Sequence, residues 1–443
     1  MIGSLGLLLI PIIARELHVE VATAQWLLTA NLLVGAIATP IVGRLSDGVA
    51  AKRLLIVVLS LILVGSVVAA TAASFPQLLI GRVLQGFSYS VIPVTITLLR
   101  RHEDTVRVPG GISALSVTAA TGVGIGYPIT GIIAASFDFR FAFWFAAIFV
   151  ATALTVVAVV VPNNNSPATK RGAFDYGGAI LLSVGLGSLV LGVSEGPNQG
   201  WTSPWTIGLF ILTVTALAVW VFVELRSSHP LIRLGVLRHT DVLLANGTAL
   251  GLGSAMYIGL SVVSLVAQAP RQSGFGLALP LFWAGFVMLP LSLGSQLATR
   301  AARSLSRRIS NTALLPIGAA LVTASNGFML IGHTQLWDIL VGMFLFGLGI
   351  GTTFAAMPTL ISRSVAVAEL GSTVSFNQVL RTIGGSLGSA VAGAILAATT
   401  TGGGGVSNTG ISTAFGVSAG ACLLVFVGLL VHDITSRGRG RSL

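Results

Sequence analysis

The chain has 443 residues, of which 8% are charged and 54% are hydrophobic. Globular proteins usually carry about 25% charged residues. With only 24 Lys and Arg and 13 Asp and Glu, a soluble chain of this length could not cover its surface with charge. This composition excludes an ordinary soluble enzyme, a disordered chain and a coiled coil, and it indicates a polytopic membrane protein.

Residue types that build metal sites and disulfides are few. The single cysteine, Cys422, excludes a disulfide framework and a cysteine-based metal site. The six histidines lack the i, i+4 spacing of a helical metal site, and no G-x-x-x-x-G-K-[ST] pattern occurs that would bind the phosphates of ATP. We therefore expect neither a metal nor another cofactor, and no ATP-driven transport.

Apolar segments recur along the whole chain. A transmembrane helix needs about 20 mostly apolar residues. Thirteen segments meet this requirement: 22–45, 53–73, 77–99, 110–136, 140–161, 176–194, 206–224, 242–268, 276–299, 312–332, 336–360, 373–398 and 410–431. A fourteenth, 1–14, is apolar but short, and no Lys or Arg precedes it as in a signal peptide. We expect it to be the outer half of a first helix that is truncated in this sequence.

The positions of Lys and Arg predict the orientation in the membrane. If the connection after the second span is cytoplasmic, 19 of the 24 Lys and Arg fall in inner connections. Arg15, Arg140 and Arg271 fall in outer connections, and Arg82 and Arg381 lie within spans. Because Lys and Arg favour cytoplasmic loops, we expect a multi-pass protein of the inner (plasma) membrane with both termini cytoplasmic. The net charge of +11 then marks the cytoplasmic face and does not indicate nucleic acid binding.

The spans follow a 6+2+6 order. Residues 1–162 are predicted to form an N-terminal six-helix bundle, and residues 163–241 a linker with two extra transmembrane helices. Residues 242–443 are predicted to form a C-terminal six-helix bundle with a basic tail. An all-α membrane protein with two such halves is typical of transporters built from structural repeats.

The turn after the second span carries Gly43, Leu45, Asp47, Lys52 and Arg53. Gly43 permits close helix approach, Asp47 lies at a helix end, and Lys52 and Arg53 offer counter-charges across the turn. On spacing alone, an ordinary positively charged loop with one acid is equally compatible.

As a whole, this turn resembles the G-x-L-x-D-x-x-G-[RK]-[RK] signature of the major facilitator superfamily, with Ala50 where the family usually has Gly. The resemblance implies the major facilitator fold, with two six-helix bundles and here two extra linker helices. It also implies that Asp47, Lys52 and Arg53 help to close the cytoplasmic side.

The fourth span contains Arg82, Gln85, Gly86 and Tyr89. An arginine within an apolar helix is expensive in lipid, so Arg82 is expected to face protein or water. Gln85 and Tyr89 follow at helical spacing and share its face. The segment resembles the family's fourth-helix R-x-x-x-G motif, which implies a role for Arg82 in proton transfer or substrate contact. The alternative is that Arg82 extends to the outer interface.

The fifth span contains Gly122, Gly126, Pro128 and Gly131. Small residues at this spacing let helices touch, and the proline kinks the helix. The segment is similar to the G-x-x-x-G-P-x-x-G-G motif of antiporter branches, with Tyr127 between the glycine and the proline. The resemblance implies an exporter; plain helix packing is the alternative.

The span 373–398 carries Arg381 near mid-membrane, and Asn377 shares its helical face. This face is expected to line a cavity, or else to make a structural hydrogen bond to a broken neighbouring helix. Polar and aromatic residues elsewhere in the spans are further substrate-binding candidates: Gln25, Trp26, Asn31, Tyr257, Gln268 and Gln378. A lone polar residue of this kind often only joins two helices.

Three further segments look like the fourteen-helix drug:proton antiporter branch: 174–178, 230–232 and 274–276. Together the resemblances cover nearly the full length. They imply a monomeric secondary transporter in the lipid bilayer that exports small amphipathic compounds by alternating access, with the proton as coupling ion. The alternatives are an exporter of one metabolite, lipid or antibiotic with different coupling, and a non-transporting receptor or scaffold. A membrane enzyme would need grouped catalytic side chains, which the sequence does not display.

All 13 Asp and Glu fall in predicted loops or span ends, while two arginines lie within the membrane. Proton antiport commonly uses a buried carboxylate that binds and releases a proton. Either that acid precedes this sequence, or the coupling differs. Two arginines without a buried acid favour a neutral or anionic substrate over an organic dication.

Overall fold

The computed structural model describes residues 5–19, 21–48, 51–103, 108–162, 175–227, 230–305, 311–366, 369–399 and 406–439. Within these ranges the chain forms helices joined by short connections. The helices are α1 (Leu5–Glu16), α2 (Val21–Gly48), α3 (Ala51–Ala70), α4 (Phe75–Gln85), α5 (Val91–His102), α6 (Val108–Ser136), α7 (Arg140–Val160), α8 (Tyr176–Gln199), α9 (Pro204–Arg226), α10 (Thr240–Gln268), α11 (Leu281–Phe286), α12 (Leu289–Leu305), α13 (Asn311–Ile331), α14 (Leu336–Ser364), α15 (Leu370–Ala398) and α16 (Asn408–Arg439).

Eleven helical segments of the described chain are long and apolar enough to cross a membrane. On α9 the apolar side chains of Trp205, Ile211, Val214 and Leu225 are between 62% and 69% exposed. So much exposed apolar surface suits contact with lipid rather than water. The predicted all-α membrane fold is confirmed. The eleven do not include α1, α6 or α11 with α12, so the number of fourteen spans stays a prediction.

The predicted span 77–99 is longer than expected and is not one continuous α-helix. A 3₁₀ segment, Gly86–Ser90, separates α4 from α5. A β-carbon on Gly86 would lie 2.9 Å from the carbonyl oxygen of Asn31 on α2, and the ring of Tyr89 packs equally closely on Gly35. The expected single α-helical face through Tyr89 is therefore wrong, because close packing on α2 tightens the backbone at this point.

The predicted span 276–299 starts too early. Leu277 and Leu279 donate backbone hydrogen bonds to Val266 and Ala267, at 2.9 and 2.8 Å, so this segment runs back along the end of α10. The helix begins only after Pro280 and is interrupted between α11 and α12. Apolarity alone could not distinguish this turned-back segment from a helical one.

The chain divides into two compact units. The first unit comprises residues 1–108, 129–238 and 365–382, and the second comprises residues 109–128, 239–364 and 383–443. Each unit therefore contains a segment from the other half of the sequence. The domain boundaries predicted at 162 and 241 stay a prediction.

An apolar cluster within the first unit fixes the end of α2. Val42 of α2 packs with Leu55 and Val58 of α3, Leu98 of α5 and Val150 of α7, all at most 6% exposed. Burial of apolar surface stabilises a fold by about 25 cal/mol per Å². The polar residues that follow Val42 on α2 therefore extend from a well-packed part of the helix.

Candidate functional site

The carboxylate of Asp47, in the last turn of α2, binds the start of α15. It is 8% exposed, and its two oxygens accept hydrogen bonds from the backbone amides of Gly371 at 2.8 Å and Ser372 at 2.9 Å. Amides in the first turn of a helix have no intrahelical acceptor, and the helix dipole favours a negative charge there. Asp47 thus supplies the N-terminal cap of α15 from a distant part of the chain. We call Asp47 with these two amides the clasp.

Two glycines allow the backbones to meet at the clasp. A methyl group on Gly371 would lie 2.5 Å from Oδ1 of Asp47 and 2.8 Å from the carbonyl oxygen of Gly43. A methyl group on Gly43 would overlap Ser375 and lie 2.9 Å from the carbonyl oxygen of Gly371. Any larger residue at either position would separate α2 from α15.

Two arginines at the end of α5 support the same region. Arg101 donates from Nη2 to the carbonyl oxygen of Asp47, and Arg100 donates from Nη2 to the carbonyl oxygen of Val365 at 3.2 Å. From the sequence alone, these residues indicate only the orientation in the membrane. Their position in the last turn of a helix, beside other helix ends, is the signal that could have identified them.

Lys52 of the same turn bonds a different helix. Lys52, which is 8% exposed, donates from Nζ to the carbonyl oxygen of Ala158 at 2.9 Å, near the end of α7. Arg53 is exposed and Leu45 is half-buried. This corrects the predicted counter-charge of Lys52 across the turn: a free carbonyl at a helix end, where the dipole is negative, attracts the ammonium group.

Arg82 is fully buried in the first unit. Its Nη1 donates to Oε1 of Gln85 at 2.9 Å, and its Nε donates to the carbonyl oxygen of Leu27 on α2 at 3.3 Å. Gln85 in turn donates to Oγ of Ser66 on α3 at 2.9 Å. The side chain therefore does not extend to the membrane interface, and three helices share one polar network around a positive charge. Its predicted contact with substrate or proton stays a prediction.

Glycine contacts also mark the predicted packing segment of α6. A β-carbon on Gly285 of α11 would lie 2.8 Å from the carbonyl oxygen of Tyr127 and 3.2 Å from Cα of Pro128. Gly126 is buried beside them. In the second unit, α11 thus approaches the backbone of α6 next to its internal proline. Gly122 is half-buried, and Gly131 is buried in the first unit.

The predicted substrate-binding residues are spread over both units. In the second unit the ring of Tyr257 packs on Gly385, and Gln268 bonds back to Ser264 of its own helix at 3.2 Å. In the first unit three of these residues are at most 7% exposed: Asn31, Asn377 and Gln378. Two others are half-buried: Trp26 and Arg381. The side chain of Gln25 lies outside the described residues. Each role stays a prediction.

The described residues contain no group of three His, Cys, Asp or Glu side chains that could hold a metal ion. The candidate site consists instead of a buried guanidinium network and a carboxylate that joins two helix ends, set among long apolar helices. This fold and site define a polytopic membrane transporter of small molecules. The chain belongs to the Major Facilitator Superfamily, whose family model matches residues 1–389.

Curated relatives carry resistance and export names. The chain is 28% identical over 398 residues to a multidrug resistance protein B homolog of Mycobacterium tuberculosis, covering 85% of this chain and 69% of the relative. It is 26% identical to the lincomycin resistance protein of Streptomyces lincolnensis, covering 86% and 78%. It is 28% identical to the tetracenomycin C resistance and export protein of Streptomyces glaucescens, covering 87% and 71%.

Solved structures share the fold. The crystal structure of the human organic anion transporter MFSD10 matches with a TM-score of 0.64 at 18% identity, over 95% of this chain and 88% of that one. The nucleoside transporter NupG matches with a TM-score of 0.58 at 13% identity, over 97% and 95%. The family and the fold are those of transporters and not of enzymes.

Proposed function

We propose that this protein is a secondary active exporter of small amphipathic compounds, of the fourteen-helix drug:proton antiporter type. Export and resistance names among the relatives support the direction of transport and the compound class. Positively charged predicted inner connections support a location in the inner membrane with cytoplasmic termini. The clasp would then lie at the cytoplasmic end of the helices.

The clasp is the observation that carries the mechanism. Two charge-assisted hydrogen bonds, each contributing about 1.5–3 kcal/mol, hold α2 to α15 without a covalent link. Such a bond pair favours one conformation and can still be broken when substrate or proton binding favours another. We infer that the clasp closes the cytoplasmic side and opens once in each cycle of alternating access.

The polar network of Arg82 supports the choice of substrate. Its positive charge is buried, and its partners include a neutral amide and a carbonyl oxygen. Such an environment attracts anions and repels cations when a substrate comes near it. We therefore propose neutral or anionic substrates rather than organic dications. Transport in everted vesicles of an anionic dye against a dicationic dye tests this choice, and a strong preference for the dication would overturn it.

Proton coupling is tested with purified protein in liposomes. A proton gradient of either sign is imposed, and movement of an uncharged antibiotic is followed together with internal pH. We expect substrate and protons to move in opposite directions, and a protonophore to abolish accumulation. Unchanged accumulation after collapse of the gradient would exclude antiport.

The same assay separates the alternatives. An exporter of one metabolite, lipid or antibiotic would move one compound among several of similar size and polarity. A receptor or scaffold would give no flux above that of protein-free liposomes.

A further inference from the structure

Two carboxylates meet where α8 begins and α9 ends. Asp175 caps α8, since its Oδ1 accepts a hydrogen bond from the backbone amide of Gly178 at 2.7 Å. Glu224 lies in the last turn of α9 and is 3% exposed, and its Oε1 accepts the backbone amide of Ile232. One oxygen of each carboxylate thus has an ordinary structural role.

The second oxygen of each carboxylate has no such role. Oδ2 of Asp175 and Oε2 of Glu224 are buried, and neither has a hydrogen-bond partner among the described residues. Both lie within 3.0 Å of the point where a β-carbon of Gly178 would stand. The two oxygens therefore face the same small space, which the missing side chain of Gly178 leaves free.

Two ionised carboxylates repel each other in this arrangement. Each has a donor on one oxygen only, and a second buried anion beside it destabilises the charged form further. Helix capping explains Oδ1 and Oε1 but not the convergence of the other two oxygens. A single proton removes one negative charge and with it the repulsion between the two carboxylates.

The charges around the pair leave one negative charge to be neutralised. The guanidinium of Arg44 on α2 interacts electrostatically with Glu224, and also with Asp47 of the clasp. Arg226 is engaged elsewhere, because its guanidinium stacks on the ring of Phe222 at 4.0 Å. Among the described residues, the cation that acts on Glu224 thus also acts on Asp47.

We propose that Asp175 and Glu224 form a binding site for one proton, held at Oδ2 or Oε2, where α8 begins and α9 ends. The proton is taken up from water by one carboxylate, and no other bond changes. This site lies outside the network of Arg82 and goes beyond the proposed export function. Because Arg44 links the pair electrostatically to the clasp, gain or loss of this proton changes the field at Asp47 as well.

Infrared spectroscopy of the purified full-length protein tests the proposal, because a protonated carboxyl group has its own C=O band. We expect the wild-type protein to show this band at neutral pH, where exposed carboxylates are ionised. Asp175→Asn and Glu224→Gln should each lose the equivalent of one carboxyl group, since removing one acid removes the repulsion and lets the remaining acid ionise. The control Glu195→Gln, on α8 but away from the pair, should leave the band unchanged.

Several results would overturn the proposal. A wild-type spectrum without the band excludes a proton at Asp175 and Glu224, even if a variant does not fold. A band that persists at full strength in both variants excludes this site. If Mg²⁺ or Ca²⁺ raises the melting temperature of the wild-type protein but not of Glu224→Gln, the occupant is a metal cation and not a proton. None of these measurements needs a substrate, so the result is independent of the proposed export.

Discussion

Oδ2 of Asp47 accepts a hydrogen bond from the backbone amide of Ser372 at 2.9 Å, across 325 positions of sequence. Oδ1 makes a matching bond to the preceding amide, so one carboxylate caps a helix to which it is not adjacent in sequence. Capping by a remote side chain joins two helices at their ends while leaving both intact. It is therefore suited to a contact that must form and break repeatedly.

Replacement of Asp47 by Asn should weaken the clasp. The amide keeps the shape, but it removes the negative charge and turns an NH₂ group toward one of the amide donors. We expect the free energy of unfolding to fall by about 1–3 kcal/mol and export to slow, because a charge-assisted bond pair becomes at best one neutral bond. Thermal unfolding and liposome flux measure the two effects.

The matched control is Glu103→Gln, an exposed carboxylate just after α5. It should leave stability and flux within the error of the wild-type protein. If Asp47→Asn behaves like this control, the clasp has no energetic role.

Gly371→Ala should destabilise the protein. The methyl group would meet Oδ1 of Asp47 at 2.5 Å and the backbone of Gly43 at 2.8 Å, and a backbone cannot give way like a flexible side chain. Overpacking of this kind typically costs about 1–3 kcal/mol.

Gly327→Ala on α13 is its control, because a β-carbon there meets nothing within 4 Å. Alanine in a helix interior is favoured over glycine by about 0.5–1 kcal/mol, so the melting temperature should stay the same or rise. Equal losses in both variants would show that the close approach of α2 and α15 is not what Gly371 provides.

Gln85→Ala should lower the melting temperature, because Arg82 loses a hydrogen bond. Arg82 would keep its bond to Leu27 but lose its bond to Gln85, and the hydroxyl of Ser66 would lose a donor. A hydrogen bond to a charged group contributes about 1.5–3 kcal/mol. We expect a lower melting temperature than for Gln272→Ala, a change at an exposed position. A melting temperature equal to that of Gln272→Ala would mean that water or another group replaces Gln85 at no cost.

The ion pair between Arg233 and Glu369 should contribute little on its own. Its atoms approach to 2.7 Å, but the side chain of Arg233 is 65% exposed. Exposed pairs usually contribute about 0–1 kcal/mol and are screened by salt. We expect Arg233→Glu to lower the melting temperature slightly at low salt only, and the swap Arg233→Glu with Glu369→Arg to restore it. A large loss at high salt would indicate a role other than charge pairing.

The sequence predicted the apolar helices well, because a membrane span needs a long run of apolar residues that any observer can count. The same rule failed at Gly86 and at Leu277. At Gly86 the helix tightens because α2 packs against it, and at Leu277 the chain bonds back to α10. Both features depend on contacts with other segments of the chain. These contacts cannot be seen in the apolarity of the sequence.

For the contacts at the candidate site, the sequence predicted one of the two partners and not the other. The motif indicated Asp47, but its partners are backbone amides, which any sequence provides and which no residue type marks. Glu224 was placed at a span end and given no role, because its burial depends on Asp175 and on the fold of the segment that contains Ile232. Arg82 was found because a charge within an apolar run is conspicuous in the sequence itself.

The first unit combines segments that are synthesised at very different times. This unit includes residues 365–382, and Gly371 is made 324 residues after Asp47. During translation, the end of α2 is therefore made without its cap, which becomes available only when Gly371 and Ser372 have been synthesised. A nascent chain that stops before residue 365 consequently lacks the partners of Asp47, and we expect the clasp to form late in the folding of the first unit.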